Sequence, residues 1–273
     1  MVEDNRTNDK DVLLELKDVH MYFGKVTALA GVNLKIRKGE IHSVIGPNGA
    51  GKTVMMNCVN GLYRPQQGTV VYKGNIINHL RPYERAAMGM ARTFQKVEVF
   101  GGMTVLDNIR LGRHTHFKSG IFSGAFYVGK AAREEIEHRA FIEEEIIDLL
   151  EIEQIRHKPV GMLPYGLQKR VELGRALALE PDLLILDEPL AGLNLEEVED
   201  MARFILDINE EKRWNVTCLL VEHDMGVVMD LSHRVFVLNF GNMIMDGTPE
   251  EVQNNPEVIK AYLGEEDLYA TRR

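Results

Sequence analysis

Residues 13–19, 32–36 and 40–45 alternate or run apolar, and Gly24, Gly31 and the Lys38-Gly39 pair separate them. Period-two runs broken by turn residues predict strands, so the chain is expected to begin with an antiparallel β subdomain. After Gly46 the rhythm becomes strand, glycine-rich loop, helix, and helical stretches then alternate with apolar or β-branched runs at 183–186, 216–221 and 234–238. That alternation predicts a parallel α/β core. Helical signals dominate residues 104–159, and a helical lobe inserted at about 104–180 is expected. Within it, residues 131–150 place Ile136, Phe141, Ile142, Ile146, Leu149 and Leu150 at three-to-four spacing among Glu, Lys and Arg, which predicts one amphipathic helix. Just before that helix, residues 114–130 mix Gly120, Gly124 and Gly129 with Phe117, Phe122, Phe126 and Tyr127 without clean periodicity, and read as a surface excursion. The sequence contains no internal repeat.

With 273 residues, 45% of them hydrophobic, the chain can bury one large core or two modest ones, so a disordered or fibrous protein is excluded. The net charge of −9 is spread along the sequence and leaves no long basic tract to neutralise a nucleic-acid backbone. No nucleic-acid partner is expected. The two cysteines, Cys58 and Cys218, lack a second thiol or histidine at metal-ligand spacing and are expected to be buried thiols in a reducing compartment. Residues 1–11 and 265–273 read as polar tails around a main domain at 12–264. The first tail lacks the basic-then-apolar order of a secretory leader, so a cytoplasmic location is expected. No apolar run approaches the roughly 18 residues needed to cross a bilayer. A role at a membrane would therefore need another chain to span it.

The densest chemistry lies in Gly46-Pro47-Asn48-Gly49-Ala50-Gly51-Lys52-Thr53, which fits G-x-x-x-x-G-K-(S/T) between the strand at 41–45 and a helix expected at 52–60. Such a loop can turn its amides inward on phosphate oxygens, and the helix N-terminus adds its positive dipole. Lys52 can reach the outer phosphates and Thr53 can hold Mg²⁺. The apolar run 183–186 ends in Asp187 and Glu188, where parallel strands present ligand-facing groups. Asp187 suits the hydration shell of Mg²⁺, and Glu188 suits polarising an attacking water. These features predict a P-loop NTPase, with a simpler P-loop kinase as the alternative.

The ordered set of Gly46 to Thr53, Gln95, Leu163-Pro164-Tyr165-Gly166-Leu167-Gln168, Asp187-Glu188 and Glu222-His223-Asp224 resembles the ATP-binding subunits of ABC transporters over about residues 13–263. The resemblance implies that two copies, identical or paralogous, sandwich two ATP molecules, each phosphate loop facing the other copy's signature at 163–168. It also implies two integral-membrane permease subunits, an indirect solute-binding protein, and a place on the inner face of the cell membrane. By the same resemblance Phe23 stacks on adenine, with Tyr22 as second choice. Gln95 links Mg²⁺ to the permease side, and His223 contacts the γ-phosphate. The signature departs from Leu-Ser-Gly-Gly-Gln: Pro164 replaces the serine, Tyr165 replaces the first glycine, and Gly166 is expected just ahead of a helix including 168–178. Asn194 stands where many relatives carry Asp. These departures, the excursion and the ending at 255–264 resemble the branched-chain amino-acid importer ATPases. Lipopolysaccharide-export ATPases share part of that ending and are the alternative, as are soluble ABC ATPases that move no solute.

Overall fold

The computed structural model describes residues 11–116 and 130–262, so most of the glycine-aromatic excursion, all of the first tail but Asp11, and the whole of the second tail lie outside the described residues. The chain divides into two compact units, Met1–Pro82 with His223–Arg273, and Tyr83–Glu222 between them in sequence.

The first unit opens with strands β1 (Val12–Phe23) and β2 (Val26–Arg37), joined at the tight turn that Gly24 marks. The break expected at Gly31 is instead a register shift inside β2, between the Val19/Val32 and Met21/Leu29 pairs, so one long strand replaces two short ones. A bulge of this kind adds a residue without ending the ladder. β1 also pairs antiparallel with β4 (Gln67–Tyr72), which carries the short β5 (Asn75–Ile76) at its far edge. The antiparallel subdomain follows the expected pattern: Leu14, Leu16 and Val19 of β1 are buried, while Lys17 and Asp18 are exposed. β3 (Ile41–Ile45) is buried at every position and leads into α1 (Lys52–Asn60), which has the predicted bounds.

The second unit contains β6 (Met90–Arg92), β7 (Leu183–Asp187) and β8 (Thr217–Val221), paired in parallel. β7 and β8 are wholly buried, as continuous apolar strands of a covered parallel sheet should be. The same unit contains α2 (Val105–Gly112), α3 (Lys130–Phe141), α4 (Tyr165–Leu177) and α5 (Leu195–Glu210). Thr104 caps α2 by accepting from the Asp107 amide, and Asn194 with Glu197 forms a reciprocal capping box on α5. An Asn at position 194 therefore does the capping work open to an Asp.

The helix expected over 131–150 changes character midway. α3 passes into a π-helical turn, Ile142–Ile147, whose extra residue per turn shifts the phase of the buried stripe. Ile142, Ile146, Ile147 and Leu150 are buried, whereas Ile136 is 68% exposed.

The chain then returns to the first unit through α6 (Met225–Leu231), β9 (Arg234–Asn239), β10 (Asn242–Gly247) and α7 (Pro249–Gln253). β9 runs parallel to β3 on one side and antiparallel to β10 on the other. Cys58, in the first unit, and Cys218, in the second, are both fully buried, as expected, and burial pushes the Cys218 thiol up to about 12.

Candidate functional site

In the first unit the phosphate loop is held to its shape by a close backbone approach. A Cβ on Gly46 would stand 1.9 Å from the Leu238 carbonyl oxygen, and φ is +149° there, so only glycine fits. Asn48 and Gly49 are exposed at the crest, and a Cβ at Gly49 would meet nothing within 4 Å. Ala50 and Pro47 are buried beneath, the Ala50 amide donating to the Pro47 carbonyl at 3.1 Å. Gly51 precedes α1 with no side-chain cap, which leaves the helix start to be satisfied from outside. Lys52, 7% exposed, folds back and donates to the carbonyls of Gly46 and Pro47 (2.5 and 3.2 Å). The Thr53 side chain is exposed. In the same unit Phe23 is 44% exposed with its ring edge-on to Tyr63, centroids 5.3 Å apart. Tyr22 is engaged otherwise, its hydroxyl 3.0 Å from His20 Nδ1. His223 is exposed just ahead of Asp224, which caps α6.

In the second unit the end of β7 gathers Gln95, Asp187 and Glu188. Gln95 Nε2 donates to Glu188 Oε2 at 2.6 Å, so the Gln95 amide oxygen is turned away from that carboxylate. Glu188 holds φ at +49°, a left-handed conformation that costs a non-glycine residue of order 1 kcal/mol or more. Its amide donates to the Val221 carbonyl at 2.9 Å, which anchors the strained residue to β8. Asp187 is buried and pairs with Arg92 at 2.7 Å, a partner that sequence reading missed. Removing either member would strand a buried charge, at about 3–5 kcal/mol. Glu222, part of the Glu222-His223-Asp224 motif but given no role there, is 4% exposed and accepts from the Leu190 amide at 2.7 Å, holding the start of the Leu190 to Asn194 loop.

The signature lies in the same unit. α4 begins at Tyr165, so Gly166 is inside the helix and not ahead of it as expected, and Pro164 occupies the capping position without a side-chain bond. Proline is well suited to a helix start, where its missing N–H would have no intrahelical partner. Gly166 lies close under the end of the Glu197 side chain: a Cβ there would fall 2.2 Å from that carboxylate, which would have to move aside. Leu163 is buried and Leu167 half-buried, while Gln168 Nε2 turns back to the Leu163 carbonyl at 2.8 Å. Tyr165 packs against Gly192, whose Cβ would stand 3.1 Å from the ring. Each unit thus assembles part of the predicted set: Phe23, the phosphate loop and His223 in the first; Gln95, the signature, Asp187 and Glu188 in the second.

Thr53, Gln95 and Asp187 offer hydroxyl, amide and carboxylate oxygens, the hard donors that Mg²⁺ takes. Among the described residues no group of three or more His, Cys, Asp or Glu is placed to hold a metal. No described helix is long and apolar enough to cross a membrane.

This fold, with its glycine-bound phosphate loop and carboxylate-ended strand, defines a nucleotide-binding P-loop ATPase. The family model described as ABC transporter matches residues 29–191, and one described as branched-chain amino acid ATP-binding cassette transporter matches residues 242–267. The chain belongs to the ABC transporter family. It is 40% identical over 256 residues to the high-affinity branched-chain amino acid transport ATP-binding protein BraF of Pseudomonas aeruginosa, covering 93% of this chain and 98% of the relative. It is 42% identical over 255 residues to the protein of the same description, LivG, of Salmonella typhimurium, with the same coverage. Among solved structures, the ADP conformation of an ATP-binding cassette of an ABC transporter aligns with TM-score 0.79 at 29% identity, covering 93% of this chain and 99% of that one.

Proposed function

We propose that this chain is the ATP-hydrolysing subunit that powers an ABC importer of branched-chain or related amino acids. The observation that carries the chemistry is the 2.6 Å bond from Gln95 to Glu188, solvent-facing just past the end of β7 and next in sequence to a buried Asp187. The substrate class is supported by the descriptions of BraF and LivG and by the match at residues 242–267, which also favours amino-acid import over lipid export.

Phe23 stacks on adenine, while the amides from Gly46 to Thr53 and the ammonium of Lys52 receive the phosphates. For this Lys52 must exchange the Gly46 and Pro47 carbonyls for phosphate oxygens, a small rotation of its stem. Thr53, Gln95 and Asp187 would hold Mg²⁺, which when bound would supply positive charge to the outer phosphates. Glu188 polarises the attacking water and His223 contacts the γ-phosphate. The signature at Leu163 to Gln168 serves the nucleotide of a second ATPase subunit, identical or paralogous. Pro164 offers that nucleotide neither a hydroxyl nor an amide donor. Two permease subunits span the membrane, a solute-binding protein delivers the solute to them, and this chain works on the cytoplasmic face.

Two substitutions separate binding from chemistry. Glu188→Gln keeps the shape and loses the charge, so ATP should remain bound while hydrolysis falls roughly tenfold to a hundredfold. Lys52→Ala should abolish both nucleotide binding and turnover. Wild-type turnover in a folded Lys52→Ala protein would refute the assignment.

A further inference from the structure

Lys169 and Glu172 stand one helical turn apart on α4 and are 4% and 3% exposed. Burying charge at that depth costs several kcal/mol unless strong partners are in place. Both side chains reach backbone groups of other segments in their own unit. The Glu172 carboxylate accepts from the amides of Phe94 at 3.3 Å and Glu98 at 3.2 Å, which flank Gln95 on either side. Lys169 Nζ donates to the Glu188 carbonyl oxygen at 2.8 Å, at the residue held in the left-handed conformation. Gln95 and Glu188 are themselves joined through their side chains. The bonds form a closed ring: α4 to the Gln95 loop, Gln95 to Glu188, and Glu188 back to α4.

We propose that Lys169 and Glu172 are positioning residues for ATP hydrolysis, a two-pronged clip on α4 that sets Gln95 and Glu188 in register with each other. The clip rests on the reading of Gln95 and Glu188 given above. The space beside it, lined by Thr93, Phe94, Leu173 and Leu186, is about 10 Å³, room for at most one water. Burial pushes Glu172 above the usual carboxylate range, an effect that the Glu98 and Phe94 amides oppose. Burial likewise lowers Lys169, against the pull of Glu172, Glu222, Glu188 and Asp187. Both groups are thus held for their bonds at a cost in solvation. A misplaced catalytic group loses rate steeply even when substrate binding is intact, which is the signature expected of a clip.

The test uses the full chain with MgATP, measuring kcat and KM together with thermal unfolding. Glu172→Ala and Lys169→Met should each lower kcat by about tenfold and leave KM within about twofold. Glu172→Gln should recover most of the loss, because its amide oxygen can accept from the same two N–H groups. In a Gln95→Ala background Glu172→Ala should cost less than about a further twofold, since its effect passes through Gln95. Hydrogen exchange should be faster at the amides of Phe94 and Glu98 in Glu172→Ala than in the wild type. If Glu172→Ala fails to fold, kcat of Lys169→Met decides. Wild-type kcat in the folded variants, no recovery in Glu172→Gln, or full additivity with Gln95→Ala would each overturn the clip. If Gln95→Ala itself turns over at the wild-type rate, the underlying reading of the site falls, and the clip with it.

Discussion

His42 lies fully buried in β3, 3.4 Å from Asp246 and 3.9 Å from Glu40, while Arg234 closes on Asp246 at 2.9 Å. Burial alone would lower its pKa, but the Asp246 and Glu40 carboxylates outweigh that and hold it above 6.5. Burial pushes both carboxylates up, yet His42 and the neighbouring arginines leave them below their ordinary values. The histidine contribution to stability is complete below the unfolded value near 6.5 and is lost as pH rises through the folded one. The carboxylate contributions run the other way: complete above 4.5 and 3.8, they are lost as pH falls through the depressed folded values. The thermal midpoint should therefore be higher near pH 6 than near pH 9, and His42→Gln should flatten that decline. An equal decline in the variant would assign the pH dependence to other groups.

At the scale of elements, the backbone from Phe100 to Thr104 is pinned by hydrogen bonds although it contains the Gly101-Gly102 pair. Asn108, fully buried in α2, accepts from the Phe100 amide and donates to the carbonyls of Phe100 and Thr104. The amides of Val160 and Gly161 add bonds to the carbonyls of Met103 and Gly101. Phe100 is left 57% exposed and Met103 40% exposed on a pinned backbone, with Met162, at 80%, ending the short 3-10 turn Val160–Met162 whose amides make those bonds. Phe100→Ala should leave ATP affinity nearly unchanged but weaken assembly with the permease and reduce solute moved per ATP in reconstituted vesicles. An unchanged ratio with normal co-purification would make Phe100 a bystander. This contrast also shows what could be read in advance. The helix at 52–60 and the strands at 183–187 and 217–221 are legible because their signals are local: a glycine loop before, turn residues after, apolar side chains between. The π-turn was hidden, because one added residue leaves hydrophobic spacing intact while rotating Ile136 out to solvent. Lys169 and Glu172 were hidden for another reason. Charged residues three apart on a helix read as a solvated face, and only the tertiary fold brings Phe94, Glu98 and Glu188 to them.

For the whole molecule, the important division is that residues 83–222 form one unit inserted in sequence within the other. Each unit has its own buried strands and its own share of the site residues, so each is a candidate cooperative unit of opening. The two cysteines fall one to each. Cys58 lies in α1 directly after the phosphate loop, and Cys218 in the fully buried β8. Both thiols are 0% exposed, so a labelling reagent reaches either one only when its surroundings open. The native chain thus carries two chemical clocks, one per unit, with no engineered probe. In sub-denaturing urea the two should be labelled at different rates, read by mass spectrometry of the separated peptides. Bound nucleotide should slow Cys58 more than Cys218, because ligand stabilises most strongly the unit whose opening destroys the phosphate loop. Equal rates and equal slowing would mean that both cores open in one step, and that ATP is felt as strongly at β8 as at the loop that receives its phosphates.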